Sequence, residues 1–225
     1  MTNLWTALVP LMIGSAILPF QIAITVLLLR SSAGRFAAVA WVAGMTTVRL
    51  AQGIVFGLVL GGAARSSGDA GAGLIESALL LVVAILLLLM AAKYLLRQPD
   101  EDAPAPRWMA LVESATPGRA FLLGVALVGL SAKLWAFTLG AIGAIVEADL
   151  GQPAAGWAFV AFVIGAEAVH LAAIAMTYVA PGRSGAWLDR ISQLLERYNR
   201  LIMVAIGLVF GTWFLARALR GFGLV

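Results

Sequence analysis

The sequence predicts an all-α integral membrane protein with six transmembrane helices, arranged as two inverted three-helix repeats. Three observations predict this class. Hydrophobic residues make up 62% of the 225 residues and charged residues only 12%, which is far from the composition of a soluble domain. Six apolar runs are each long enough to cross a bilayer, which takes about 20 residues. A stretch of the second run also resembles a stretch of the fifth.

The six apolar runs are continuous rather than alternating, which favours helices over barrel strands. They lie at roughly 4–29, 36–62, 74–96, 119–146, 155–180 and 201–219. The first run follows no Lys or Arg and is too long for the core of a signal peptide. We therefore expect it to be retained as the first transmembrane helix.

A polar segment separates the third run from the fourth. It reads "QPDEDAPAPRWMALVESATPG" and is acidic and rich in Pro and Ala at its start, which is typical of a linker. We therefore expect a first three-helix repeat over 1–97, a cytoplasmic linker over 98–118 and a second three-helix repeat over 119–225.

The connection before the last run has an amphipathic pattern. In "WLDRISQLLERY", residues 187–198, the side chains of Trp187, Ile191, Leu194 and Tyr198 fall on one helical face. This pattern predicts an interfacial helix that leads into the last span.

Basic residues alternate between the connections. Ten of the 15 Lys and Arg residues lie on or beside the connections that follow the first, third and fifth runs, and three lie on the opposite side. The positive-inside rule places the more basic side in the cytoplasm. We therefore expect a multi-pass protein of the inner (plasma) membrane, with both termini outside and the 98–118 linker in the cytoplasm.

The two similar stretches are "WVAGMTTVRLA" at 41–51 and "FVIGAEAVHLA" at 162–172. Their alignment sets Gly44 on Gly165, Thr46 on Glu167 and Arg49 on His170. Each stretch lies in the second helix of its half. Because three crossings reverse the side on which the next copy starts, the two halves should have inverted topology, a recurring design of transporters.

Three ionisable residues, Arg49, Lys133 and Glu167, lie near the centres of their runs. Charged groups at this depth face one another or a water-filled cavity rather than lipid. We expect Arg49 to be compensated by Glu167, by an anionic substrate, or by each in turn. The alternative is a purely structural ion pair that joins the second helix to the fifth.

The candidate site residues follow from these positions. Residues three apart share one helical face, so further polar side chains of the second and fifth helices should join Arg49 and Glu167. Pro19 should break the first helix, because proline removes a backbone hydrogen bond. We predict that Glu167 and His170 carry a coupling proton. We predict that six side chains bind substrate, namely Gln21, Thr46, Arg49, Gln52, Ser131 and Lys133.

Several kinds of chemistry are excluded by what the sequence lacks. The chain has no cysteine and one histidine, which excludes disulfides, thiolate catalysis and a clustered zinc site. We expect no metal and no cofactor. No GxxxxGK[ST] motif is present, so this chain should not use ATP directly. The expected partners are the lipid bilayer and a lipid or small-molecule substrate, not nucleic acid. A second copy of the chain or a larger lipid exporter would be a further partner.

Three features resemble one family of proteins. They are "AILPFQIAITVLLL" in the first run, the polar linker, and "LSAKLWAF" in the fourth run. They resemble the LysE superfamily of exporters, and within it the actinobacterial GAP or sulfolipid-addressing (Sap) branch. The resemblance implies export of amino acids or metal cations for the superfamily, and placement of glycolipids at the cell surface for the branch. The family's Asn-Pro-Lys signature reads Ser131-Ala132-Lys133 here, so the lysine carries over and the helix-breaking proline is absent.

We therefore expect a transporter, an exporter or flippase coupled to protons, that moves an anionic or zwitterionic substrate across the inner membrane. The expected substrate is a cell-envelope glycolipid or its precursor. An amino-acid or cation exporter of the LysE type is the first alternative. An intramembrane lipid acyltransferase using His170 and Glu167, and an accessory subunit of a lipid exporter, are the others. We expect that the protein is not an enzyme, because the sequence has no GxSxG or HExxH motif.

Overall fold

The computed structural model describes residues 4–96 and 107–224, and every regular element in these two ranges is an α-helix. The helices in chain order are α1 Leu4–Ala16, α2 Pro19–Arg30, α3 Gly34–Leu96, α4 Arg107–Glu113, α5 Pro117–Leu130, α6 Ala132–Glu147, α7 Ala154–Ala166, α8 Ala168–Val179 and α9 Pro181–Gly221. The predicted all-α class is therefore confirmed for the described residues.

The helices that could cross a membrane are of two kinds. Gly34–Val59 and Arg197–Gly221 are each long and apolar enough by themselves. The pairs α1 with α2, α5 with α6, and α7 with α8 satisfy the same requirement together, but they are bent by 53°, 69° and 60° at short breaks. The described residues thus contain two clear spans, or up to five if each bent pair is one span. Leu80–Leu96, in the predicted third span, is apolar but shorter, so the number six stays a prediction.

The three breaks differ in their local sequence. The break between α1 and α2 ends at Pro19, whose fixed φ and missing N–H suit the first position of a helix. Ser131 separates α5 from α6 with φ −90° and ψ 102°, so the fourth predicted helix is broken although the signature proline is absent. Glu167 separates α7 from α8 with φ −107° and ψ 3°. Glutamate is a good helix former, and the local sequence does not account for this third break.

The second and third predicted helices form one helical element, α3, of 63 residues. A straight helix of this length would extend about 95 Å. Both of its apolar parts nevertheless contact the start of α6: the rings of Phe56 and Trp135 have centroids 5.4 Å apart, and Leu86 and Lys93 line a cavity together with Lys133. Because Phe56 and Leu86 are 30 positions apart, α3 must change direction between them.

Glycines let the helices around α3 approach closely. A Cβ atom on Gly124 of α5 would overlap the carbonyl oxygen of Trp41, and one on Gly44 of α3 would overlap the carbonyl oxygen of Phe121. A Cβ atom on Gly207 of α9 would lie 2.7 Å from the carbonyl oxygen of Leu87. Small residues at such crossings are typical of membrane helix packing, and they bring the buried face of α3 next to α5 and α9.

We expect Gly124→Ala to destabilise the protein by about 1–3 kcal/mol, because the added methyl group meets backbone atoms that cannot move aside. Gly129→Ala is the matched control in the same helix, since a Cβ there meets nothing within 4 Å and alanine favours helix over glycine. Thermal unfolding of the detergent-solubilised variants measures the difference. Equal melting temperatures for the two variants would contradict the packing described here.

The predicted linker and interfacial helix are only partly described. Residues 97–106, at the junction of the first repeat and the linker, lie outside the described residues, and Arg107–Glu113 forms α4. The predicted interfacial helix is part of α9 and continues directly into the last span. Leu188, with Trp187 and Ile191 beside it, packs in a cluster with residues of α2. One part of the predicted apolar face is thus used in packing, whereas its later members, Leu194 and Tyr198, are exposed.

Candidate functional site

Arg49 lies where α3 meets α1, α6 and the break between α7 and α8, and 0% of the residue is exposed. Its Nη2 donates a hydrogen bond to Ser15 Oγ at 2.9 Å, and its Nη1 donates to Thr138 Oγ1 at 3.5 Å. Its Nε lies 3.5 Å from Glu167 Oε1, which makes an ion pair without hydrogen-bond geometry. A guanidinium has five N–H donors, so these partners leave capacity for another acceptor.

Glu167 lies at the break between α7 and α8 and is 3% exposed. Its Oε2 accepts a hydrogen bond from Thr46 Oγ1 at 2.6 Å. The Thr46 hydroxyl also lies 2.9 Å from the carbonyl oxygen of Val42. Thr46 and Arg49 are three residues apart in α3, so one helical face contacts both oxygens of the carboxylate.

His170 lies in α8, three residues after Glu167, and is 1% exposed. Its Nδ1 is 2.9 Å from Thr25 Oγ1 in α2, and the Thr25 hydroxyl also lies 3.1 Å from the carbonyl oxygen of Gln21. Its Nε2 has no hydrogen-bond partner among the described residues. His170 is thus oriented by a hydroxyl of another broken span and leaves one ring nitrogen open.

Two glutamines complete the polar interior. Gln21 and Gln52 are 1% and 5% exposed, and within the described part of the chain neither amide oxygen nor amide nitrogen has a hydrogen-bond partner. Burying a polar group without a partner costs about 1–3 kcal/mol in proteins. Such groups in native proteins are usually satisfied by water or a ligand, so the two amides indicate a site that binds further polar molecules.

We call Arg49, Glu167, His170 and the side chains that hydrogen-bond to them the Arg49 cluster, and Lys133 and Ser131 are not among its members. They line a different cavity of about 400 Å³, together with Lys93, Tyr94, Leu86, Leu89 and Met90. The predicted substrate-binding residues therefore fall into three groups. Arg49 and Thr46 contact Glu167, Lys133 and Ser131 line the second cavity, and the buried amides of Gln21 and Gln52 have no described partner.

Three hydroxyls of the Arg49 cluster were missed by sequence reasoning: Ser15, Thr25 and Thr138. Single hydroxyls are common in apolar helices and do not stand out in a sequence. The hydrogen-bond partners of Ser15, Thr25 and Thr138 lie 34, 145 and 89 residues away along the chain. A weak signal exists for Thr25, which is four residues after Gln21 and so shares its helical face. Nothing in the sequence singles out Ser15 or Thr138.

A larger cavity of about 1450 Å³ opens between the starts of α1 and α7 and the ends of α6 and α9. Three tryptophans line it, namely Trp5, Trp157 and Trp213. Arg217, Arg220 and Glu147 also line it, and Arg217 forms an ion pair with Glu147. Its wall is thus mostly apolar, with two basic groups and one acidic group.

The described residues contain no group of three or more His, Cys, Asp or Glu side chains that could hold a metal ion. The chemistry available in the Arg49 cluster is therefore that of one cation, one carboxylate, one imidazole and several neutral hydrogen-bonding groups. Such a set can bind an anion and hold or release a proton.

Residues 8–220 match the family model described as SfLAP: Sap, sulfolipid-1-addressing protein. The matched range includes α2 to α8 entirely and most of α1 and α9, and with them the Arg49 cluster and the second cavity. No curated protein and no solved structure matches the chain.

Proposed function

The chain belongs to the Sap, sulfolipid-1-addressing, family, and from this membership we propose that it is a proton-coupled exporter or flippase for an anionic cell-envelope glycolipid or its precursor. The family membership confirms the Sap resemblance seen in the sequence. The observation that carries the proposal is the Arg49–Glu167 ion pair, fully buried between three broken spans. The family's description names a sulfolipid, whose sulfate is an anion that Arg49 can bind.

The broken spans support a transport site at this position. Discontinuous helices that meet near the middle of a membrane are typical of secondary transporters, because the free ends of the half-helices can bind ions and substrates there. Irregular backbone is tolerated at that depth only where it is buried in protein or lines a wet cavity. The breaks at Pro19, Ser131 and Glu167 divide their spans near the middle.

Two inverted repeats of three helices remain our proposal for the architecture. The breaks of the first span, at Pro19, and of the fourth, at Ser131, occupy corresponding places in the two halves. The second span of each half differs, because α7 and α8 are broken at Glu167 whereas α3 is continuous at the matching Thr46. The Glu167 carboxylate at this break lies next to Arg49.

Anion binding and proton binding are coupled at this site. An anionic head group bound to Arg49 would repel the Glu167 carboxylate in a medium of low dielectric constant, so Glu167 should take up a proton as substrate binds. Thr46 can serve both states: it donates to the carboxylate, and when Glu167 is protonated it can accept from the acid and donate to the Val42 carbonyl. Binding of the substrate anion and uptake of the proton thus favour each other, so a pH gradient can drive movement of the substrate.

The contacts of His170 favour transport over acyl transfer. In the acyltransferase alternative Glu167 would orient the ring of the His170 base, but Nδ1 contacts Thr25 rather than Glu167. The basic, tryptophan-rich cavity favours an amphiphile over an amino acid as substrate, since it offers apolar walls beside cations. In the proposed topology both termini are outside, and this cavity opens on the outer side.

The test is transport of a fluorescent sulfated galactolipid in proteoliposomes, read as accessibility to a quencher added outside. We expect an imposed pH gradient to speed movement of the sulfated lipid between leaflets, and the unsulfated lipid to move no faster than in protein-free liposomes. Arg190→Gln, which removes an exposed cation, is the control and should behave as wild type. Movement of labelled lysine or arginine instead of the lipid would contradict the substrate, and no movement of either would contradict transport.

A further inference from the structure

Lysine is rare in this chain, and both lysines line one cavity. The sequence has 13 arginines and only two lysines, Lys93 and Lys133. Lys93 lies near the end of α3 and Lys133 at the start of α6, in different halves of the protein. They share the cavity of about 400 Å³, which no acidic residue of the described chain lines. Two like charges thus face one space without a described counter-ion.

The polar end of this cavity suits an oxyanion. Two ammonium groups repel each other unless an anion lies between them. Lysine binds phosphate and similar groups as a point charge. The Tyr94 and Ser131 side chains are further polar lining, and the Ser131 hydroxyl makes no capping hydrogen bond to α6. The N-terminus of α6, which begins here, adds a favourable dipole for an anion.

The other side of the cavity is apolar. Leu86 and Leu89 are 39% and 61% exposed, and Met90 lies between the leucines and Lys93 along α3. Exposed leucines on a membrane-spanning helix face lipid chains. A molecule with an anionic head and an acyl chain would satisfy both sides, whereas a free inorganic anion would use only the lysines.

We propose that Lys93 and Lys133 form a second anion site, separate from Arg49, which binds the sulfate, phosphate or carboxylate head group of an acyl-bearing lipid entering from the bilayer. The proposal rests on the proposed function, for which it supplies a loading site: the head group is held by the lysine pair before it reaches Arg49. The acyl chain lies along Leu86 and Leu89.

The lysines can be observed directly. Reductive methylation with ¹³C keeps the charge of each ε-amine, and in nanodiscs the protein should show two lysine methyl signals besides that of the amino terminus. Titration with sulfatide, a sulfated galactolipid, should shift both lysine signals with one common saturation curve. Galactosylceramide, which lacks the sulfate, should shift neither signal. Inorganic sulfate should act only at concentrations far above those needed for sulfatide.

Variants distinguish a shared site from two separate ones. Lys93→Gln should lower sulfatide affinity by about tenfold or more, as read from the remaining Lys133 signal, because one charged contact is lost. Arg190→Gln should leave the affinity unchanged. A shift of one lysine signal only, or no shift with sulfatide, would overturn the proposal. Equal potency of inorganic sulfate and sulfatide would overturn the claim that the site binds a lipid rather than a free anion.

The same variants separate this inference from the proposed function. Lys93→Gln combined with Lys133→Gln removes two like charges and should insert and unfold as the wild type does. If this double variant moves the sulfated lipid normally, the loading site is wrong and transport stands. If sulfatide binds the lysines of the wild type but no lipid moves in proteoliposomes, the site stands and transport is wrong.

Discussion

Replacing Arg49 by methionine should destabilise the protein by about 3–5 kcal/mol, the usual loss when one partner of a buried ion pair is removed. The reason is that Glu167, 3% exposed, would keep a negative charge in an apolar interior without its cation. Ser15 and Thr138 would also lose the donor that each now accepts from. Thermal unfolding in detergent, with insertion checked by membrane fractionation, measures the loss.

The double variant Arg49→Met, Glu167→Gln tests the cause of that loss. It removes both charges, so most of the lost stability should return while transport of the sulfated lipid stays absent. Arg190→Met controls for the loss of an arginine as such and should not change stability. If the double variant loses as much unfolding free energy as the two single variants lose in sum, Arg49 and Glu167 do not interact as described.

Glu167→Gln should abolish transport driven by a pH gradient but keep exchange of labelled for unlabelled lipid across a vesicle without a gradient. Glutamine has nearly the shape of glutamate and can still accept from Thr46, but it cannot titrate. Arg49 would then remain charged and able to bind the substrate anion. The two assays run on the same proteoliposomes, with the sulfated lipid as substrate.

Two further variants sharpen this result. Glu167→Asp keeps the carboxyl group and should retain some gradient-driven transport. Thr46→Val removes the hydroxyl that contacts Glu167 Oε2 and should slow gradient-driven transport more than exchange. Normal gradient-driven transport by Glu167→Gln would assign the proton to another group, and His170 would be the next to test.

The class of the protein could be predicted without its structure. Composition and the length of the apolar runs suffice, because a bilayer accepts only backbone that satisfies its own hydrogen bonds, and continuous runs do so as helices. Arg49 and Glu167 could be singled out for a similar reason, since a charge inside an apolar run is visible in the sequence and must find a polar neighbour. Short motifs sufficed for the Sap resemblance.

The break at Glu167 could not be predicted in this way. Pro19 predicts the first break, because proline has no backbone N–H to donate within a helix. Glutamate has no such effect on a helix. In the folded protein the backbone departs from helix where the Glu167 side chain meets Thr46 and Arg49 of α3. Contacts between distant segments, rather than local preference, accompany this break.

The sequence alone thus determined the membrane class, the family and the charged residues that require partners, because these depend on composition and on neighbours within one helix. The folded arrangement decided which helices meet. It placed Ser15 and Thr138 against Arg49, and it placed Lys133 beside the same cavity as Lys93, which was not among the predicted site residues. The physical reason is that helical periodicity orders side chains on one helix, whereas the pairing of faces depends on packing of the whole bundle.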